Sequence, residues 1–88
     1  MLVKELWRGD ERAYACKISR RLFGEHECGS REAARRAALH HACEIIREQR
    51  RCGVPASASI RERRRIYRAQ LAHPSSGASV SNRLEIIQ

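Results

Sequence analysis

The 88-residue sequence has few aromatic side chains, two prolines and no apolar run longer than four residues. Aromatic residues make up 5% of the chain, so the side chains offer little bulk for a core, and a domain this small buries a modest fraction of its surface. Small domains of this kind gain stability from a partner, and we therefore expect a homodimer. The lack of a long apolar run excludes a membrane span. The opening residues Met1-Leu2-Val3-Lys4-Glu5 lack the hydrophobic core of a signal peptide, so we predict no secretion signal and a cytoplasmic protein.

Acidic side chains are also scarce, since ten of them face eighteen basic ones and leave a net charge of +8. Sixteen of the basic residues are arginines, and eight of these fall within residues 47–68 against two glutamates. This concentration predicts an acidic partner, and we expect duplex DNA because guanidinium groups bind both phosphates and base edges. The alternative is a solvated surface without a partner, which a GC-rich coding sequence would also produce.

The four cysteines include no Cys-x-x-Cys pair, because eleven, fourteen and eight residues separate them. His40 and Cys43 lie three residues apart, but two ligands do not close a tetrahedral zinc site. The sequence also shows no set of nucleophile, base and orienting group. We therefore predict reduced thiols, no metal, no cofactor and no enzymatic activity.

Alternating apolar and polar residues predict strands at the start of the chain. Residues 2–8 and 13–23 form an antiparallel hairpin in this interpretation, with a turn at residues 9–11. Tyr14, Cys16 and Ile18 share the apolar face, and the opposite face carries cations. A helix beginning at residues 13–16 is the alternative, and residues 24–29 are predicted to form a polar loop.

A long helix is predicted from Ser30, which is suited to cap its first turn, to about residue 50. Small and branched apolar side chains recur at three- and four-residue spacing and form its buried stripe: Ala34, Ala38, Ala42, Ile45 and Ile46. A stripe rich in alanine lets a helix approach a sheet closely. Gly53 and Pro55 then end the helix, because glycine suits the left-handed position that follows it and proline cannot continue it.

A second, arginine-rich helix is predicted over residues 60–72, because Ser59 and Glu62 have the spacing of a capping box. Tyr67 belongs to its narrow apolar seam and is expected to pack on the core. Residues 80–87 are predicted to form a short last strand. The predicted fold class is thus α+β in one domain, with a hairpin and long helix (1–52), a linker (53–58), a basic helix (59–73) and a C-terminal strand (74–88).

Four motifs follow one another in the first half of the chain: Tyr14-Ala15-Cys16-Lys17-Ile18, then Phe23, then Gly29-Ser30-Arg31-Glu32-Ala33-Ala34, then Ala37-Ala38. Together they resemble the Apetala/ethylene-response-factor type of DNA-binding domain in its phage and bacterial versions. The likeness covers residues 13–48. Residues 75–80 are more faintly similar to the opening of the further sheet that often follows in bacterial members.

The resemblance implies a three-stranded antiparallel sheet that lies in the DNA major groove and is backed by one helix. It places Lys17, Ser19 and Arg21 toward the DNA, and it places Tyr14 and its apolar neighbours under the helix. Only two strands precede the helix in our interpretation. We therefore expect residues 80–87 to complete the sheet, either within one chain or by exchange with a second chain.

We expect a small non-enzymatic DNA-binding protein, a transcriptional regulator or accessory factor of a phage or mobile element. Its candidate nucleic-acid-binding residues are Arg8, Arg12, Lys17, Ser19, Arg20, Arg21, Arg61, Arg63, Arg64, Arg65 and Arg68. The alternative is a phage-type inhibitor that binds a host nucleoprotein complex through the same basic surface. RNA is disfavoured, because few aromatic side chains are present to stack on bases. The single tryptophan, Trp7, is expected to cap the core, with stacking on DNA as the alternative.

Overall fold

The computed structural model describes residues 1–72 as a three-stranded antiparallel sheet packed against helices. The strands are β1 (Val3–Arg8), β2 (Glu11–Cys16) and β3 (Leu22–Gly24), in the spatial order β1-β2-β3. The helices are α1 (Glu25–Cys28), α2 (Arg31–Arg51) and α3 (Ile60–Ala72). The predicted α+β class is confirmed.

Strands β1 and β2 form the predicted hairpin, with Val3 opposite Cys16 at one end and Arg8 opposite Glu11 at the other. The turn contains two residues, so Glu11 belongs to β2 and not to the turn. Gly9 adopts a φ of 65°, a left-handed conformation that glycine reaches without a steric penalty.

The predicted continuous strand to Phe23 is wrong, because the chain leaves the sheet after Cys16 and turns back. The backbone N–H of Arg20 donates to the Cys16 carbonyl at 2.7 Å, and that of Cys16 donates to the Arg21 carbonyl at 2.9 Å. Arg20 takes a left-handed φ of 68° in this turn. The reversal brings Phe23 opposite Tyr14, so β3 supplies a third strand before the long helix.

Helix α2 begins and ends where its capping residues predict. The Ala33 N–H donates to the Ser30 side chain at 3.1 Å, and Gly53 adopts a φ of 94° just past the C-terminal end. The predicted polar loop before α2 instead contains the single turn α1. Gly29, with a φ of 99°, separates the two helices.

The core lies between the sheet and one face of α2, and it contains the residues that the sequence pattern predicts. Tyr14 and Phe23 pack with Ala34 and Ala38 near the start of α2. A second cluster nearer its end joins Cys16, Ile18, Ala42 and Ile45, and it receives Ile60 and Tyr67 from α3. Three alanines of α2 have no exposed surface at all, so this helix lies close against the sheet.

Helix α3 has the predicted bounds, and the Glu62 N–H donates to the Ser59 side chain at 3.1 Å, as the capping pattern requires. Tyr67 packs on the second cluster, which confirms its predicted place. The predicted C-terminal strand at residues 80–87 lies outside the described residues. Within residues 1–72, the third strand of the sheet is β3, which pairs with β2.

Candidate nucleic-acid interface

Arg8, a predicted DNA-binding residue at the end of β1, lies among carboxylates. Its Nη2 atom is 3.4 Å from Glu11 and 3.9 Å from Glu27. The backbone N–H of His26 donates to Glu11 and, with the Arg8 guanidinium, holds the pKa of that carboxyl below its usual range, although partial burial opposes the shift. The charge of Arg8 is therefore partly neutralised within the protein.

Arg12, the second candidate in the hairpin, is engaged in the same way. Its guanidinium pairs with Glu5 and lies 4.4 Å from the centre of the Trp7 ring, a cation–π geometry. Trp7 itself is 63% exposed, so the prediction that it caps the core is wrong. Trp7 lies opposite Arg12 in the hairpin, nearer the turn than Tyr14, where the first core cluster ends. The Arg12 guanidinium, and not a helix, covers the Trp7 ring.

The face of the sheet opposite α2 is not the cationic surface that the sequence predicts. The pleat places small and apolar residues there along most of its length: Leu6, Ala13, Ala15, Leu22 and Gly24. Lys4 and Arg8 stand at its two ends. Strand β2 ends at Cys16, so Lys17, Ser19 and Arg21 lie in the turn. The alternation of side chains along a strand, which predicted that they share this face, does not apply there.

Ser19, another predicted DNA-contacting residue, is directed at helix α2. Its Oγ lies 2.8 Å from Nε2 of His41 and accepts the Arg21 N–H at 3.2 Å. Burial and the nearby Arg21 charge lower the pKa of His41, and Glu44 opposes this shift. The prediction that Ser19 faces DNA is therefore wrong, because its hydroxyl ties the turn to the helix.

Arg20 and Arg21 are exposed in the turn between β2 and β3. The Arg21 guanidinium lies 4.8 Å from the centre of the Phe23 ring. Neither side chain has a carboxylate partner among residues 1–72. Both keep their charge available, at a site separate from the larger cationic surface described next.

Four arginines of α3 form one stripe on its surface. Arg61, Arg64, Arg65 and Arg68 follow a spacing of three, four and seven residues, which places them on one side of a helix over about 10 Å. They line a hollow of about 560 Å³ together with Ser59 and Glu62. No member of the stripe forms an ion pair with a carboxylate of the described chain.

The stripe continues onto the edge of the sheet. A second hollow, of about 630 Å³, has Lys4 and Lys17 on its wall together with Arg61 and Arg64. The Lys17 N–H donates to the Leu2 carbonyl at 2.9 Å, and the Arg64 Nε donates to the Lys17 carbonyl at 3.0 Å. These bonds hold α3 beside the start of β1. We call the six cations around the two hollows the basic face: Lys4, Lys17, Arg61, Arg64, Arg65 and Arg68.

Arg63 does not belong to the basic face, although it lies in the same run of arginines. It is 5% exposed, and its guanidinium donates to Gln49 and to backbone carbonyls of the linker. The prediction that it binds nucleic acid is wrong. Its position two residues after Arg61 turns it to the side of α3 that faces the protein.

The described residues contain no group of three metal-ligating side chains. The four cysteines are free thiols, with Cys16 buried and Cys43 and Cys52 exposed. No helix in residues 1–72 is long and apolar enough to cross a membrane.

Sequence reasoning missed Lys4, although it found the other five residues of the basic face. Its nearness to Lys17 follows from the register of β1 on β2 and from the docking of α3, which no local pattern records. The separation of Arg63 from its neighbours did have a signal, since the spacing of residues 61, 64, 65 and 68 is helical and excludes residue 63.

Comparison of the chain with family models, with curated proteins and with solved structures finds no match. The resemblance to the Apetala/ethylene-response-factor type of domain therefore stays an expectation.

Proposed function

We propose that this protein is a small non-enzymatic DNA-binding protein that contacts duplex DNA through the basic face. The observation that carries the proposal is the charge of the two adjoining hollows. Six cations line them, and among the described residues Glu62 is the one carboxylate on their walls. A surface with this imbalance attracts a polyanion, and each phosphate that it neutralises releases counterions.

The shape and chemistry of the basic face favour duplex DNA over other polyanions. A helix fits the major groove, which is about 12 Å wide, and arginines along one side of it reach phosphates and guanine edges. Arg61, Arg65 and Arg68 are exposed, while Lys4 and Lys17 extend the charge to the neighbouring strand and turn. The proposed interface thus lies on α3 and the sheet edge, and not on the open face of the sheet.

A role as regulator or accessory factor of a phage or mobile element is part of this proposal. Such a role needs a protein that positions itself on DNA and does no chemistry there. A host protein with an acidic surface is the competing partner, because the same cations would serve it. The test below separates the two, since it uses purified protein and DNA alone.

The test is a titration of a labelled duplex at 50 and 200 mM salt, followed by fluorescence anisotropy. With six phosphate contacts, the affinity should fall roughly 10³-fold between the two salt concentrations. Light scattering in the same buffers measures how many protein chains the complex contains, and we expect two, as in a homodimer. Absence of binding at 50 mM salt would overturn the proposal and favour a protein partner.

A matched pair of variants locates the interface. Arg61→Ala/Arg65→Ala removes two exposed charges from the basic face, and Arg31→Ala/Arg35→Ala removes two exposed charges at the same spacing from the start of α2. The first should weaken binding about 10- to 100-fold and reduce the salt slope by about 2, whereas the second should change both far less. Equal losses for the two pairs would contradict a localised interface.

A further inference from the structure

The buried guanidinium of Arg63 lies where helix α2, the linker and helix α3 meet. Its Nε donates to the Ala58 carbonyl at 3.3 Å, and its Nη2 donates to the carbonyls of Pro55 at 3.1 Å and Ala56 at 3.0 Å. Its Nη1 donates to the Gln49 side chain at 3.2 Å. No carboxylate of residues 1–72 lies within ion-pairing distance of it.

The Gln49 side chain both accepts a hydrogen bond from Arg63 and donates one to it. This side chain near the end of α2 is 1% exposed, and its Nε2 donates to the Arg63 backbone carbonyl at 3.3 Å. One amide therefore holds both the side chain and the main chain of Arg63. The pair fastens α2 to the first turn of α3 and encloses the linker between them.

Helix α3 has few other means of holding its orientation. Ile60 and Tyr67 pack on the core, but Leu71 is exposed, so the apolar seam is narrow. A helix with a narrow seam can roll about its axis at little cost. The directional hydrogen bonds of Arg63, together with the bond from Arg64 to the Lys17 carbonyl, oppose such a roll.

We propose that Arg63 is a positioning residue that fixes the rotation of α3, so that its arginine stripe lies beside Lys4 and Lys17. Arg63 reaches no phosphate itself. The consequence for DNA binding rests on the proposed function, whereas the docking of α3 does not. Arginine suits the role because its planar guanidinium offers five N–H donors in fixed directions, and four hydrogen bonds are donated here. Lysine has no such planar group.

The test compares Arg63→Lys, Gln49→Leu and Gln49→Glu with the unchanged protein, and uses Arg35→Lys, at an exposed arginine of α2 outside the basic face, as the control. Two quantities are measured on each: hydrogen exchange of the α3 amides without DNA, and affinity for a labelled duplex at 50 mM salt. Arg63→Lys keeps the charge but loses the fork. Gln49→Leu changes no charge but removes both the acceptor and the donor of the amide. Gln49→Glu loses the donor but keeps an acceptor and supplies a counter-charge.

We expect Arg63→Lys and Gln49→Leu to lower the protection of the α3 amides about tenfold or more, because each loses bonds of a buried charged group. Both should also weaken DNA binding, although neither removes a cation. Gln49→Glu should keep the protection of α3 within about threefold of the unchanged protein, because its ion pair with Arg63 offsets the lost amide donor. Arg35→Lys should keep the protection as well, and both variants should keep DNA binding. A loss of DNA affinity in Gln49→Leu is the clearest evidence of positioning, because the Gln49 side chain is buried and neutral and cannot itself bind a phosphate as a cation does.

The opposite pattern would overturn the proposal. If Arg63 binds phosphate, Arg63→Lys keeps most of the affinity, Gln49→Leu is harmless, and Gln49→Glu weakens binding because its carboxylate competes for the guanidinium. Unchanged protection of α3 in both Arg63→Lys and Gln49→Leu also excludes a positioning role. If protection falls as expected but even the unchanged protein binds no duplex, the positioning role stands and the proposed function fails.

Discussion

Arginine does three different things in this small protein, and its neighbours decide which. The Arg12 guanidinium lies over Trp7 and pairs with Glu5. Arg63 is buried against carbonyl groups and a glutamine. Arg65 is exposed on a helix without a carboxylate partner in the described chain. Side chains of one chemical type thus cover an aromatic ring, hold a helix and offer charge to a ligand.

At the residue scale, His41 makes the stability of the protein depend on pH. Burial and the Arg21 charge lower its pKa from the usual 6.5, so the folded state binds a proton less readily than the unfolded chain. The free energy of unfolding should then be highest above about pH 6.5 and should decline as the pH falls through that value toward the lowered pKa. Urea unfolding followed by circular dichroism between pH 5 and pH 8 measures this.

Two variants isolate the histidine. His41→Gln removes the titrating ring and should flatten the decline below about pH 6.5. His40→Gln changes the adjacent exposed ring and should leave the profile as it was. An unchanged decline in His41→Gln would assign the pH dependence to other groups.

At the element scale, helix α2 was predictable because its information is local. Ser30 caps it, Gly53 ends it, and the alanine stripe faces the sheet, all within one continuous segment. Strand β3 was not predictable in this way. It has three residues, and it is a strand because the turn after Cys16 brings Phe23 opposite Tyr14. Such pairing depends on a partner elsewhere in the chain and leaves little periodicity of its own.

The contact between α2 and the sheet leads to a prediction about side-chain size. Ala38 has no exposed surface and packs with Tyr14 and Phe23, so a larger side chain there forces the helix away from the sheet. Ala38→Leu should lower the free energy of unfolding by about 1 to 3 kcal/mol. Ala69→Leu places the same side chain on an exposed position of α3 and should stay within about 0.5 kcal/mol.

Urea denaturation of both variants measures the difference. If Ala38→Leu lowers the free energy of unfolding no more than Ala69→Leu does, the sheet and α2 can move apart without a loss of stability. The close approach that the alanines provide would then contribute little to stability.

Across the molecule, the described residues 1–72 contain a three-stranded sheet and two core clusters. All three strands lie between residues 3 and 24, and α3 adds its apolar side chains from residues 60 and 67. Removal of residues 75–88 should therefore leave a folded protein. Circular dichroism and light scattering of the shortened and full chains measure this, and we expect the same number of chains per particle and a similar melting temperature.

The outcome of that deletion also tests the earlier interpretation of residues 80–87. Loss of folding, or a change from dimer to monomer, would mean that these residues supply a strand or an interface after all. Retention of both would agree with β3 as the third strand of the sheet.

The amino-acid sequence alone predicts the α+β class, the hairpin, the two long helices with their caps, and the apolar side chains that meet in the core. These features follow from local spacing and from capping chemistry, which a single segment contains. It also determined that cations are in excess and that they concentrate near α3.

Which cations share a surface depends on how the strands and helices pack. The register of β1 on β2 and the docking of α3 bring Lys4 to the arginine stripe, and the Gln49 contact withdraws Arg63 from it. Carboxylates from other elements engage Arg8 and Arg12. A surface is made by residues that are distant in the chain, so its charge depends on packing that local patterns do not encode.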